Sequence, residues 1–168
     1  LGSVISRFGR ARIAYPGGCD IGLRPIDLHL GGLRRLGVRI EEEGGYINCT
    51  CGKMRGADIV LGCPSVGATE NIMLAAVKAE GTTVIRNAAK EPEIADLQNF
   101  VNRMGGRISG GGSSTVVVEG VKSLHGAEYT PVSDRIGAGT FLIASAMCGG
   151  ELALKNARAE NLSALLDK

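Results

Sequence analysis

The sequence contains no tryptophan, and aromatic residues make up only 4% of it. Stacking platforms for single-stranded nucleic acid need several exposed rings, so that class of function is excluded by supply alone. An excess of one charge is also missing: 19 Lys and Arg stand against 17 Asp and Glu, a net charge of +2. A nucleic-acid surface concentrates basic residues on one face, and too few are left over here to build one. No run of eighteen apolar residues occurs, so no membrane-spanning helix is expected. The opening Leu1–Arg7 has neither the length nor the order of a signal peptide. No CxxC pair is present, and His29 and His125 sit in unrelated contexts, so neither a metal nor another cofactor is expected.

What is present fits a folded protein. Hydrophobic residues reach 44% and charged residues 21%, enough to bury a core. The five cysteines, Cys19, Cys49, Cys51, Cys63 and Cys148, are odd in number and irregularly spaced. That pattern suits a reduced, cytoplasmic protein better than a disulfide framework. The chain starts without Met inside a helical-looking stretch and ends on another, Leu162, Leu165 and Leu166. It therefore reads as a piece of something longer.

Self-comparison organises the chain. Asn71–Ala88 lines up with the stretch Thr140–Ala157, and Asn156 minus Asn87 gives an offset of 69. Leu36-Gly37-Val38-Arg39-Ile40 likewise matches Met104-Gly105-Gly106-Arg107-Ile108. Each copy of about 69 residues mixes helix and strand, so the expected class is α+β, with helices central and sheets outside. Pro25 and Pro92 are each placed as a first helical residue, followed by apolar residues at helical spacing and closed by Gly37 and Gly105. Arg39-Ile40, Tyr46–Asn48, Asp58–Leu61 and Thr82–Ile85 read as short strands. Thr69–Ala79 and Thr140–Met147 are apolar nearly all round, which predicts two buried helices.

The strongest chemical signal is Tyr15-Pro16-Gly17-Gly18-Cys19-Asp20-Ile21-Gly22-Leu23-Arg24-Pro25-Ile26-Asp27-Leu28-His29. Glycines around one thiol let the backbone approach a ligand closely. Arg24, at a helix start, can grip a phosphate or carboxylate where free N–H groups already favour an anion. An arginine near a thiol favours the thiolate, which makes Cys19 a usable nucleophile or acid. Asp27 can accept hydrogen bonds from a sugar hydroxyl or amide. The bland alternative is a buried filler, a surface charge and a dipole-stabilising residue. A second candidate, Cys63-Pro64-Ser65-Val66-Gly67-Ala68-Thr69, joins a strand to a buried helix; Ser65 either meets a ligand or only caps the helix. Gly110-Gly111-Gly112 reads as a hairpin turn, Glu41-Glu42-Glu43 as a solvated strand end, and Asp134-Arg135 as an ion pair or hinge.

Pro16-Gly17-Gly18-Cys19, Arg24–His29, Pro64–Thr69, Asn87–Ile94 and Asp134-Arg135-Ile136 together resemble, in order, the bacterial enolpyruvyl transferases that open peptidoglycan synthesis. The resemblance covers nearly the whole chain. It implies an inside-out α/β barrel of two domains, each of three similar units, with 1–133 as most of the first domain and 134–168 as the start of the second. It implies transfer of enolpyruvyl from phosphoenolpyruvate to the 3′-hydroxyl of UDP-N-acetylglucosamine, in the cytoplasm, serving cell-wall growth and division. Cys19 matches the cysteine that protonates phosphoenolpyruvate and takes up fosfomycin. Arg24 matches an arginine near both substrates; Arg24, Pro25, Ile26, Asp27 and Leu28, with Ser65, Val66 and Gly67, match the uridine and diphosphate contacts. Cys63 and Pro64 depart from the lysine and valine of some relatives, and Gly137 from a glutamate. The family's lysine–asparagine pair and its aspartate base fall outside this chain, whose remaining partner would be the rest of its own protein. Alternatives are the shikimate-pathway enolpyruvyl transferase, which lacks the Pro-Gly-Gly-Cys loop, and a non-catalytic scaffold of the same fold.

Overall fold

The computed structural model describes residues 1–17 and 25–168. Its elements in chain order are α1 (Gly2–Phe8), β1 (Arg10–Ala14), α2 (Asp27–Arg35), β2 (Arg39–Glu43), β3 (Tyr46–Thr50), β4 (Asp58–Val60) and α3 (Val66–Ala76). There follow β5 (Thr82–Arg86), α4 (Pro92–Arg103), β6 (Arg107–Ser109), β7 (Thr115–Glu119), α5 (Arg135–Cys148), a 3-10 turn (Ala159–Leu162) and α6 (Ser163–Leu166). Two compact units divide them, Leu1–Tyr129 and Thr130–Lys168. No helix among the described residues is long and apolar enough to cross a membrane.

In the first unit α3 is the axis. Its Ala68, Thr69, Asn71, Ile72, Met73, Ala75 and Ala76 are buried, and α1, α2 and α4 all pack against it. Glycine makes the approach possible. A Cβ on Gly2 of α1 would stand 2.0 Å from the Asn71 carbonyl oxygen, and one on Gly32 of α2 would stand 2.3 Å from Ile72 Cδ1. Around these helices lie two sheets, ordered β1-β3-β2 and β4-β5-β7-β6. All pairs are antiparallel except β4 with β5. Ile47 and Cys49 of β3, and Thr83 and Ile85 of β5, point inward, while their neighbours along the strand face outward, as a period of two requires. The glycine run closes the β6–β7 hairpin, with Gly110 and Gly112 at φ 85 and 90, and Glu41-Glu42-Glu43 is a solvated strand end.

Two expectations need correction. Pro25 is not helical: α2 starts at Asp27, with Ile26 as its N-cap at φ −115 and ψ 12. Asp27 takes the first helical position instead, where its charge meets the positive end of the dipole. Pro92, by contrast, does open α4. Asp134 is the N-cap of α5, its Oδ1 accepting from Ile136 N at 2.8 Å and Gly137 N at 3.1 Å. Finally, α5 is not buried like α3. Only Gly139 is buried, while Ile136, Phe141 and Met147 are 63%, 62% and 82% exposed. The second unit offers it just a 3-10 turn and a four-residue helix, too little surface to cover fourteen residues on all sides.

The close contacts give a stability test. A Cβ on Gly120, just past β7, would stand 1.6 Å from the Ala79 carbonyl oxygen, and backbone cannot yield as a side-chain tip can. Gly120→Ala should cost about 1–3 kcal/mol, read as a lower denaturant midpoint. Gly52→Ala, where nothing lies within 4 Å, should leave the midpoint near that of the parent.

Candidate functional site

Two helix starts meet in the first unit. The N-terminal turn of α2 carries Asp27, Leu28 and His29; that of α3 carries Val66 and Gly67 behind the cap Ser65. They touch: a Cβ on Gly67 would lie 3.2 Å from His29 Cε1. Glycine at that position lets the imidazole lie against the first turn of α3. Ser65 Oγ accepts from Ala68 N at 3.3 Å, and Thr69 Oγ1 donates back to Ser65 O at 2.8 Å. Thr69 Oγ1 also accepts from Ala89 N at 3.1 Å, while Asn87 Nδ2 donates to Leu61 O at 2.9 Å. The Asn87-Ala88-Ala89 stretch thus locks the loop that presents Ser65. Among the described residues no side chain caps α2, and the first turn of a helix is a place that favours an anion.

Between the two helix starts lies a cavity of about 360 Å³ lined by Pro16, Ile26, His29, Gly67, Glu70 and Leu74, among others. Its walls are mostly apolar, and they act on the two titratable groups. Burial lowers the His29 pKa, favouring the neutral imidazole. Burial raises the Glu70 pKa, and the charge of Glu93 adds to the effect. A neutral imidazole offers one donor and one acceptor without the desolvation cost of a cation. Leu28 faces elsewhere, into a second cavity of about 420 Å³ with Gly31, Gly32, Arg35, Asp58 and Leu61.

The residues singled out from the sequence therefore divide. Ile26 and Gly67 share one cavity; Leu28 lines another; Pro25 and Asp27 are exposed, and Ser65 and Val66 half-buried at the start of α3. Cys19 and Arg24 lie outside the described residues. Sequence reasoning passed over His29 and Glu70. His29 had a signal: it stands two residues past Asp27 within the same motif. Glu70 had none, since its weight comes from desolvation. Of the other thiols, burial raises the pKa of Cys49 and Cys51 away from reactivity, and Cys63 is exposed. Among the described residues no three His, Cys, Asp or Glu side chains gather as a metal site requires.

A family model described as EPSP synthase (3-phosphoshikimate 1-carboxyvinyltransferase) matches residues 1–168. The chain is 61% identical over 168 residues to UDP-N-acetylglucosamine 1-carboxyvinyltransferase 2 of Caldanaerobacter subterraneus subsp. tengcongensis. It is 53% identical over 169 aligned positions to UDP-N-acetylglucosamine 1-carboxyvinyltransferase 1 of Symbiobacterium thermophilum. All of this chain is covered, but only 40% and 38% of those proteins, so it spans about two fifths of their length. Among solved structures, the enolpyruvyl transferase NikO from Streptomyces tendae matches with a TM-score of 0.71 at 23% identity, over 86% of this chain and 35% of that one. EPSP synthase from Acinetobacter baumannii matches with a TM-score of 0.64 at 22% identity, over 87% and 33%. These two likenesses speak for the fold.

The Glu70 environment predicts a pH signature. Its pKa is raised on folding, so the native state holds the proton more tightly than the unfolded chain does. The stability this brings is complete below the unfolded value of 4.5 and is lost as pH rises through the folded value. Glu70→Gln should therefore raise the denaturation midpoint at pH 7 and bring no gain near pH 4. Equal gains at both pH values would contradict this.

Proposed function

This chain belongs to the EPSP synthase (3-phosphoshikimate 1-carboxyvinyltransferase) family, and we propose that the longer protein containing it moves enolpyruvyl from phosphoenolpyruvate to the 3′-hydroxyl of UDP-N-acetylglucosamine. In this reading the reaction is cytoplasmic and supplies peptidoglycan synthesis. The observation that carries it is the meeting of two helix starts at His29 and Gly67. Both helices turn their positive ends to one place, which suits a diphosphate bridging them. Pro25, Ile26 and Asp27 on one side, and Ser65, Val66 and Gly67 on the other, are then the nucleotide-sugar contacts, with Leu28, which lines the second cavity, offering its backbone alone. The 61% identity to a protein named for this reaction supports the substrate choice over shikimate 3-phosphate, as does Cys19 in its Pro-Gly-Gly-Cys setting.

Chemically, a carbon acid step needs a proton donor held at contact distance from the methylene carbon of phosphoenolpyruvate. Cys19 is that donor in this reading, and Arg24 holds the anion. The positive charge that grows on the neighbouring carbon is stabilised by fixed dipoles in a dry cleft. The apolar wall around His29 and Glu70 would help to keep water out.

The repeat belongs to the same proposal. Adding 69 to the bounds of β3 (46 and 50) gives those of β7 (115 and 119); adding it to the bounds of α3 (66 and 76) gives 135 and 145, within α5. Such recurrence supports an inside-out barrel of like units, with 1–133 in one domain and the rest opening a second. The apolar face of α5 would then be covered by further chain of the same protein.

Two tests follow. In the full-length protein with nucleotide sugar bound, a fosfomycin-type epoxide should add to Cys19, read by peptide mass mapping; an adduct on Cys63 or Cys148 instead would sink the assignment. The 168-residue piece alone should release no phosphate from phosphoenolpyruvate with UDP-N-acetylglucosamine. Turnover by the isolated piece would show that the second domain is dispensable.

A further inference from the structure

We propose that the cavity where the ends of α1 and α3 meet the β3–β4 connection binds a small anion carrying two or more phosphate groups. Its volume is about 480 Å³, within the range of sites that take a small molecule. Arg7, Arg10, Lys53 and Lys78 line it against a single carboxylate, Glu80. The chain as a whole is nearly balanced, with 19 basic residues against 17 acidic ones, so this excess is local. Glu80 is moreover engaged already, since Lys53 Nζ stands 3.1 Å from its Oε1. Among the described residues no hydrogen bond or ion pair engages the side chains of Arg7, Arg10 or Lys78. Their three positive charges line one space with no counter-charge from the described residues.

The frame of the cavity is built by main chain. Gly9, at φ 68, turns the chain from α1 into β1, and its carbonyl accepts from Cys51 N at 2.8 Å. On the other side Glu80 N donates to Met54 O at 2.9 Å, and Gly56 N donates to Glu80 O at 2.8 Å. The connections α1–β1, β3–β4 and α3–β5 are thus joined to one another, and each carries at least one of the cations or stands next to it. A Cβ on Gly52 would meet nothing within 4 Å, so the middle connection leaves room beside Lys53. A site preformed in this way loses little freedom on binding.

Two of the cations have another use. Arg7 lies in the last turn of α1, and Lys78 follows the end of α3, where positive charge complements the helix dipole. The dipole gives no reason for Arg10, on β1, or for Lys53, in the β3–β4 connection. Arginine offers two parallel donors that match a phosphate, and lysine adds a point charge. The place is also separate from the corner where α2 and α3 begin. That corner holds the first turn of α3, and the 11 residues of the helix put about 16 Å between it and the end near Lys78. The two cavities share no lining residue, so this inference does not rest on the transfer reaction.

The test is titration of the full-length protein with inorganic pyrophosphate, read by calorimetry with and without saturating UDP-N-acetylglucosamine. Pyrophosphate should bind with a Kd below about 1 mM, survive the nucleotide sugar and weaken as ionic strength rises. Arg10→Ala and Lys78→Ala should each weaken it about fivefold or more. Arg103→Ala, at the end of α4 and outside the cavity, should leave it unchanged. Glu80→Gln should tighten it about twofold or more, because Lys53 is released from its carboxylate. All of these side chains are exposed, so the denaturation midpoints should stay near that of the parent. Absence of binding, displacement by the nucleotide sugar, or parental affinity in both Arg10→Ala and Lys78→Ala would overturn the proposal. Failure of the nucleotide sugar to bind would count against the transferase reading alone, and the variants would still decide this one.

Discussion

The burial of α3 on nearly every side is the constraint from which the first unit is built. A helix that is apolar all round must be covered on several faces at once, and three helices do this here. Side chains on both partners would hold the axes too far apart, so glycine stands where the backbones come closest, at Gly2 and Gly32. The sheets then need only one apolar face each, which is why β3 and β5 alternate between inward and solvated residues. Remove the close helix contacts and neither sheet keeps a floor to pack on.

This arrangement also decides where chemistry can occur. Burying the body of α3 leaves its first turn as the place where polar groups can reach the surface. Ser65 satisfies one N–H there, and Thr69 spends its hydroxyl on the Ser65 and Ala89 backbone. Among the described residues the neighbouring α2 has no side-chain cap, and it ends at Gly37 in a left-handed turn. One helix start is therefore locked in place by its own side chains, and among the described residues no side chain does the same for the other. A ligand bearing negative charge could complete the second without disturbing the first, which is the physical ground on which we propose a nucleotide diphosphate for this corner.

Much of this was legible in the sequence, for reasons that can be named. The apolar circumference of α3, the alternation in β3 and β5, and the proline that opens α4 are local signals that tertiary structure had no cause to override. The limits are equally physical. Thr140–Met147 carries the same apolar signal as α3, yet α5 is exposed, because apolar composition states a need for cover and not its presence. Pro25 fits a first helical residue, but Asp27 has the stronger electrostatic claim on that position. The weight of His29 and Glu70 comes from desolvation by residues far away in the chain, which no linear pattern records.

Thiol selection shows how these layers combine. A reactive cysteine must present its sulfur to a substrate as thiolate or acid, and burial in apolar surroundings works against the thiolate. Cys49 sits in the core on β3, and Cys51 sits beside Gly37 O at 3.4 Å; burial pushes the pKa of both upward. The fold thus removes two of the five thiols from competition by packing alone. Of the other three, Cys63 and Cys148 are exposed. Packing therefore narrows the choice without making it, and what singles out Cys19 in the proposed reaction is its Pro-Gly-Gly-Cys setting beside Arg24 in the sequence.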